Sequence, residues 1–405
     1  MKLLTRGTKM YTSRGYLSTF MLPVIAGLLS LFVAIAASQH EVQKRWHLQT
    51  AADAMAHSAA TIMAREMNVL AVFNRAIIAN QVAQGQLLGL SSWFSNIESA
   101  SERLALVTFW IPYVNAVTAQ LSRIVTTIDR PLQSFIDVGL ALQESLLTAL
   151  QLAQVAVRFS FAQIIPETLA QLSQIQNIET EQWSLVHSPG LITFPWLWWT
   201  FIPPQSAVND DERLTKLVRA SRDPFSKSRS YNWFNAGLVK GKKTGGNELI
   251  VSRHGYWSWQ ALDTVAVHIN MLFRRTEVPW GNGAAYRGSK ITRTRAADFG
   301  ASQSINPTAT RWALSSQNNM GSVRSPRYFD RTNLEVSEWP SVLVIFDQVV
   351  AKAGVRYSRP ASAFPRSDRT PEKANLYNAL WEPELRSLSA LEKVTIVQFQ
   401  TPEAS

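Results

Sequence analysis

Hydrophobic and polar positions along the chain fall into three regimes. The first is an uncharged run of 22 residues, Tyr16 to Ala37, enough for one helix across a bilayer with modest tilt. Helical spacing of apolar residues continues beyond it, with no Gly or Pro between Val24 and Gln84 except Gly27. This predicts one long helix running out of the apolar span to about Asn80. In the second regime, Gln81 to Thr180, charges are sparse and Leu142, Leu146, Leu150, Ala153 and Val157 form a helical stripe. Pro112, Pro131 and Pro166 punctuate it into helices of about 20–35 residues, each proline marking a start or a kink. An antiparallel helical hairpin or bundle is the economical arrangement. Leu104–Ala119 also raises a second membrane crossing, but it is only 16 residues long and contains Pro112 and Asn115.

The third regime begins after Asp211, where Glu248–Ser252, Val265–Ile269, Ser341–Val350 and Lys393–Phe399 read as β-rich runs and Trp257/Trp259 alternate as on one strand face. Between the second and third regimes lies Phe194–Pro204, with three Trp, two Phe and three Pro in eleven residues. It is either a loop packing aromatics onto the folded body or a segment dipping into lipid headgroups. The expected class is therefore α+β. A transmembrane helix continues into a helical hairpin or bundle, and a mixed α+β domain with long loops follows. The boundaries are a basic cytoplasmic tail at 1–14, the membrane helix at 15–37, a helical extracytoplasmic region at 38–185, a Trp/Pro-rich linker at 186–211 and a basic α+β domain at 212–405.

Charge orients this layout. Lys2, Arg6, Lys9 and Arg14 precede the apolar run, which puts the N-terminus in the cytoplasm and everything after Ser38 outside, as a single-pass protein. A cleaved signal peptide is the rival, with Phe20–Val33 as its apolar core and Ala34-Ile35-Ala36 as its cleavage site. Across the chain 40 Lys and Arg face 29 Asp and Glu, but the excess sits late: 28 face 16 in residues 212–405, against four facing nine in 101–211. Affinity for a polyanion would therefore live in the last regime, at Lys240, Lys242 and Lys243 and at Arg287, Lys290, Arg293 and Arg295, interleaved with aromatics. A mildly basic solubilising surface is the plainer reading of the same residues.

Small residues recur every fourth position at Ala26, Ser30, Ala34 and Ser38, and again at Ala52, Ala56, Ala60 and Ala64. Such stripes let another helix backbone approach closely, although an alanine-rich helix also produces them by chance. Asn74, Arg75, Asn80 and Gln81 are polar positions in an otherwise apolar stretch, either an interhelical hydrogen-bonding stripe or a partner-recognition site. Chemistry is hard to find. Zero cysteines exclude thiolate nucleophiles and cysteine metal sites. The six histidines are scattered, and Asp53/His57 reads as a surface ion pair. Gly237–Thr244 misses the phosphate-loop spacing by one residue. Asp210-Asp211-Glu212 is consecutive, suited to a helix start rather than to an acid/base pair. The expectation is a non-enzymatic protein with no cofactor, no metal and no small-molecule substrate.

Two stretches carry a resemblance. Gly15-Tyr16-Leu17-Ser18-Thr19-Phe20-Met21-Leu22-Pro23, the apolar span and then Leu48-Gln49-Thr50-Ala51-Ala52-Asp53-Ala54-Met55-Ala56 resemble the N-terminal anchor of TadE/TadG-like proteins of the bacterial tight-adherence (Tad, or Flp) pilus. Asn68–Ala83, containing Asn74-Arg75-Ala76 and Ala79-Asn80-Gln81, is similar to the N-R-A-x-x-A-N-Q segment of a pilus-assembly subgroup. Fainter similarities follow at Arg222–Phe225, Gly245–Leu249, Tyr256–Thr264, Arg356–Pro360 and Asn375–Trp381. The resemblance implies an inner-membrane, pseudopilin-like or scaffolding component of a Tad/Flp-type pilus or secretion assembly. Its partners would be other membrane and pilus-assembly subunits and the bilayer, while the basic clusters of the last regime leave room for an envelope polyanion. The resemblance leaves prepilin processing open, because Phe20 holds the fifth position after Gly15 where the family carries an acidic residue. It does not carry metal-dependent adhesion, because no D-x-S-x-S run occurs.

Overall fold

The computed structural model describes residues 16–108, 112–178, 183–188, 215–251, 257–271, 274–289, 304–323, 340–346 and, with a few short breaks, 349–396. Helix α1 runs unbroken from Tyr16 to Thr108, 93 residues with Pro23 inside it, and so is about 140 Å long at 1.5 Å per residue. Helix α2, Pro112–Ile175, opens on a proline at its first position, where the missing N–H costs nothing. Pro131 and Pro166 lie within α2 without ending it. Leu104–Ala119, already short for a membrane crossing, holds the described end of α1 and start of α2.

The two helices are antiparallel. Glu66 meets Arg158, Asn74 meets Gln154, Asn80 meets the Gln143 carbonyl and Ser91 meets Gln133, one number falling as the other rises. Among the described residues nine strands follow: β1 (Trp183–Ser188), β2 (Tyr231–Ala236), β3 (Val239–Val251), β4 (Trp257–Met271), β5 (Arg274–Arg287), β6 (Gln317–Asn319), β7 (Ser341–Phe346), β8 (Val350–Tyr357) and β9 (Trp381–Leu385). They make two sheets, ordered β1-β7-β8-β9 and β2-β3-β4-β5-β6. All pairs are antiparallel except β5 with β6. Two short helices, α3 (Pro224–Lys227) and α4 (Pro307–Ala313), flank the larger sheet.

Both sheets are built on α1. Ala52, Ala56, Ala60 and Ala64 share a core with Ile165 and Leu169 of α2 and with Val342, Val344, Ala353 and Val355 of the smaller sheet. One helical step of about 25 residues further on, Ile77 and Ile78 share a core with Leu147 of α2 and Trp257 and Trp259 of the larger sheet. Two glycine contacts explain how close the second approach is. A Cβ on Gly85 would meet the Trp259 ring at 2.8 Å, and one on Gly283 would meet the Ser92 carbonyl at 2.1 Å.

Several expectations are corrected by this arrangement. The helix running out of the apolar stretch reaches Thr108 rather than Asn80, because its far half is buried by the larger sheet. The boundary drawn at 186 cuts β1, which pairs with β7 in a regular register from Trp183–Phe346 to Ser188–Ser341. The helical region and the basic region are thus not separable bodies: they share α1. Lys393, placed in a β run, is helical. Phe194–Pro204 lies outside the described residues.

At the other end of α1, residues 19–46 stay exposed. Phe20 is 73% exposed and Phe32 69%. Two described stretches are long and apolar enough to cross a membrane, Thr19–Leu104 and Ser122–Ile175. Only the first has its apolar window wholly open, with 0% buried against 22% in the second.

Candidate functional site

The polar positions of α1 decide where the chain closes on itself. Asn68 lies beside Trp381 and binds both sides of its peptide: its Nδ2 donates to the Trp381 carbonyl and its Oδ1 accepts from the Trp381 N–H, both at 2.9 Å. Asn74 donates to the Leu376 carbonyl at 2.9 Å and accepts from Gln154 at 2.7 Å. Asn80 donates to the Gln143 carbonyl, and Gln81 accepts from the Trp259 indole at 3.3 Å. Asn74, Asn80 and Gln81 are buried, so these three hold their own chain rather than an external partner. Sequence spacing could not show that, since the groups they bind lie up to about 300 residues away. Arg75 alone of the four is exposed.

Arg75 stands over a groove of about 570 Å³ whose floor is Ile78 and Val82 of α1 with Leu217, and whose rim carries Ser221, Tyr377 and Asn378. A second hollow of about 340 Å³ continues it past Gln86 to Leu87, Leu90 and Phe225. An apolar floor with one open guanidinium can seat an apolar side chain or helix face that carries an anionic group.

The loop that forms the rim is fixed by charge. Tyr357, Asn375 and Asn378 donate to Glu372 Oε1, and Arg359 pairs with its Oε2. Burial alone would raise the Glu372 carboxyl, but these hydrogen bonds outweigh it and hold the group down at about 2. Burial and the bond to Glu372 push the Tyr357 hydroxyl well up.

Behind α1 lies the most buried charge in the described residues. Asp263 on β4 is fully enclosed, its carboxylate held by Arg229 Nε at 2.9 Å and Nη2 at 2.6 Å, by Lys243 on β3, and by the Ser92 hydroxyl of α1 at 2.9 Å. Burial would raise Asp263, and the Arg229 and Lys243 charges hold it below the usual carboxylate range instead. Burial pushes the Lys243 amine down, against the pull of Asp263. Arg229 also donates to Asn247, whose amide donates to the Gly85 carbonyl at 2.6 Å. The cluster therefore ties the larger sheet to the helix.

The polyanion candidates are dispersed by the fold. Lys243 is 1% exposed and spends its charge on Asp263, and Arg287 is 4% exposed and pairs with Glu144 of α2 at 2.7 Å. Both are internal, which corrects their assignment as surface cations. Lys240 and Lys242 are half-buried on β3. Lys290, Arg293 and Arg295 lie outside the described residues. Arg274 and Arg275, exposed at the start of β5, escaped notice because nothing basic adjoins them in sequence.

The two small-residue stripes also part company. Ala52, Ala56, Ala60 and Ala64 are filled by this chain's own core, whereas Ala26, Ser30, Ala34 and Ser38 remain exposed. Ser30 and Ser38 turn their hydroxyls back onto the Ala26 and Ile35 carbonyls. Asp53 accepts from Gln49 at 2.9 Å rather than pairing with His57 in any described contact. Among the described residues no group of three His, Cys, Asp or Glu could hold a metal ion.

Comparison with protein-family models, with curated proteins and with solved structures finds no match to this chain. The internal geometry is therefore the ground for a functional reading. Its most informative feature is a convergence. The described residues of Arg222–Phe225, Gly245–Leu249, Trp257–Thr264, Arg356–Pro360 and Asn375–Trp381 all lie far along the chain from α1. All of them gather along one stretch of α1, Asn68 to Ser92, or on the loop it holds.

Proposed function

We propose that this chain is a non-enzymatic, membrane-anchored scaffold, a pseudopilin-like or structural component of a Tad/Flp-type pilus or secretion assembly. One observation carries the reading: the helix that is exposed and apolar from Thr19 to Ala37 is the same unbroken helix that forms the core of both sheets. A protein built this way transmits position and force from a bilayer to its body with no linker between. The convergence of the Tad-like segments on Asn68–Ser92 supports the pilus assignment, because residues that resemble one family then cooperate in one place. The groove under Arg75 and the exposed stripe Ala26, Ser30, Ala34 and Ser38 are open to membrane and assembly partners. The orientation is N-terminus in, with the body outside the inner membrane.

The deciding experiment is intact mass and N-terminal sequencing of protein separated into carbonate-resistant membrane and soluble fractions. A membrane form beginning at Met1 is expected. A soluble form beginning near Ala37 would overturn the anchor. Such a form would still fold, because the packed core begins only at Ala51, so loss of the span would not be hidden by loss of the protein.

A further inference from the structure

Helix α2 has two apolar faces. Ile136, Leu140 and Leu147 are fully buried on the inner one. The outer one points away from the body. There Phe135 is 66% exposed, Val138 69%, Leu142 60%, Leu152 65% and Phe159 54%. With the exposed Ser145, Ala149 and Ala156 these positions repeat by alternating steps of three and four from 135 to 159, and Ile128 extends the series toward the helix start. That is the a/d spacing of a coiled-coil seam. The positions bordering this seam, from Ser134 and Gly139 to Val155 and Ser160, carry no charge, and Asp137, Glu144 and Arg158 lie farther round the helix, so no charge at the seam repels an identical neighbour. The open apolar surface is on the order of 800 Å², one partner's share of a standard interface and more than a solvated monomer usually shows.

Lipid does not reach this face if α1 stands on the membrane as proposed above, a reading on which the present inference rests. Gln143 is level with Asn80, 43 residues past Ala37, and so roughly 65 Å beyond the hydrocarbon edge. A bilayer core is only about 30 Å thick.

We infer that the occupant is a second copy of this chain, α2 against α2, parallel and in register. Two copies anchored by the same end of α1 in one membrane hold their α2 helices at the same height and in the same direction. Each seam residue then faces its own counterpart. Ser145, Ala149 and Ala156 in the middle let the helices approach closely, and the phenylalanines at 135 and 159 close the ends.

The chain has no cysteine, so single-cysteine variants of the full-length protein in its native membrane report the contact directly under mild oxidation. Val138→Cys and Leu142→Cys should give disulfide-linked dimers of twice the chain mass, and Asp137→Cys, exposed on the same helix but off the seam, should not. Adding Leu142→Glu to Val138→Cys should lower the dimer yield roughly tenfold, because facing carboxylates would be forced together. Equal yields at 137, 138 and 142, or adducts only with a different protein, would overturn the second-copy proposal. So would an absence of cross-links in protein that still resists carbonate extraction, which leaves the anchor standing. Cross-links at 138 and 142 in a soluble protein would keep the pairing and overturn the anchor.

Discussion

The Arg229–Asp263–Lys243 cluster holds two cations and one anion in a space closed to water, and that imbalance predicts opposite responses to two mutations that each remove a charge. Asp263→Asn keeps the volume but leaves Arg229, 4% exposed, and Lys243, 1% exposed, without a counter-charge. Removing one partner of a buried pair costs about 3–5 kcal/mol, and two stranded cations place this variant at the top of that range. Lys243→Met instead removes the excess cation and leaves Asp263 with Arg229 and Ser92, so its cost should be under about 1 kcal/mol. The double variant should recover a large part of the loss seen in Asp263→Asn alone. Urea unfolding of the detergent-solubilised full chain, followed by the fluorescence of its tryptophans, would measure all three. With m-values of about 1–3 kcal/mol/M, the Asp263→Asn midpoint should fall by more than about 1 M. The reasoning fails if Lys243→Met is as damaging as Asp263→Asn, or if the double variant is no better than the single acid mutant.

Four further outcomes follow from the same geometry. Asn68→Ala removes both hydrogen bonds to the Trp381 peptide and should cost about 2 kcal/mol, visible as faster hydrogen exchange at the Trp381 amide. Ala56→Leu overpacks the core shared by α1, α2 and the smaller sheet and should cost about 1–3 kcal/mol. Ala34→Leu on the exposed stripe should leave the melting of the body unchanged while weakening capture of membrane partners. Glu372 has a depressed pKa, so its contribution to stability is complete above the ordinary glutamate value near 4.5 and drains away as pH falls toward about 2. An acid titration of unfolding should lose that dependence in Glu372→Gln.

Local signals in the sequence reach the helices but not their partners. The apolar run, the missing helix breakers after Gly27 and the proline at 112 define α1 and α2 because helix formation is decided by neighbours three and four residues away. Trp257 and Trp259 were readable as one strand face for the same reason. By contrast, Lys243 looked like part of a surface patch with Lys240 and Lys242, because only the β3–β4 register brings it to Asp263. A clue was present: Asp263 interrupts an apolar strand, and a buried carboxylate needs a cation. In the sequence, Leu142, Leu146, Leu150, Ala153 and Val157 form a helical stripe. Steps of four drift around an α-helix, so Leu142 and Leu146 end on the open side while Leu150 and Val157 turn toward the core. The seam that matters uses alternating threes and fours.

The continuity of α1 limits what the body can do. Between Gly27 and Gly85 the helix contains neither Gly nor Pro, so bending it between membrane and body would break backbone hydrogen bonds without a built-in hinge. The first strong polar ties, Asn68 to Trp381 and Asn74 to Leu376, lie on the same rigid rod as the span. A rotation of the apolar end of α1 must therefore turn both sheets and the outer face of α2 together. On the proposed anchoring, recognition within the membrane and recognition about 65 Å above it would be one event, because a neighbour that fixes Ala26, Ser30 and Ala34 would also fix which way Phe135 and Leu142 face. Inserting two glycines near Gln43, on the exposed stretch between span and core, separates the two. Anchoring and folding should survive the insertion, since no packed residue is touched, while cross-linking of Leu142→Cys copies should lose its preference over Asp137→Cys. An unchanged preference would mean that the α2 faces find each other without help from the anchor.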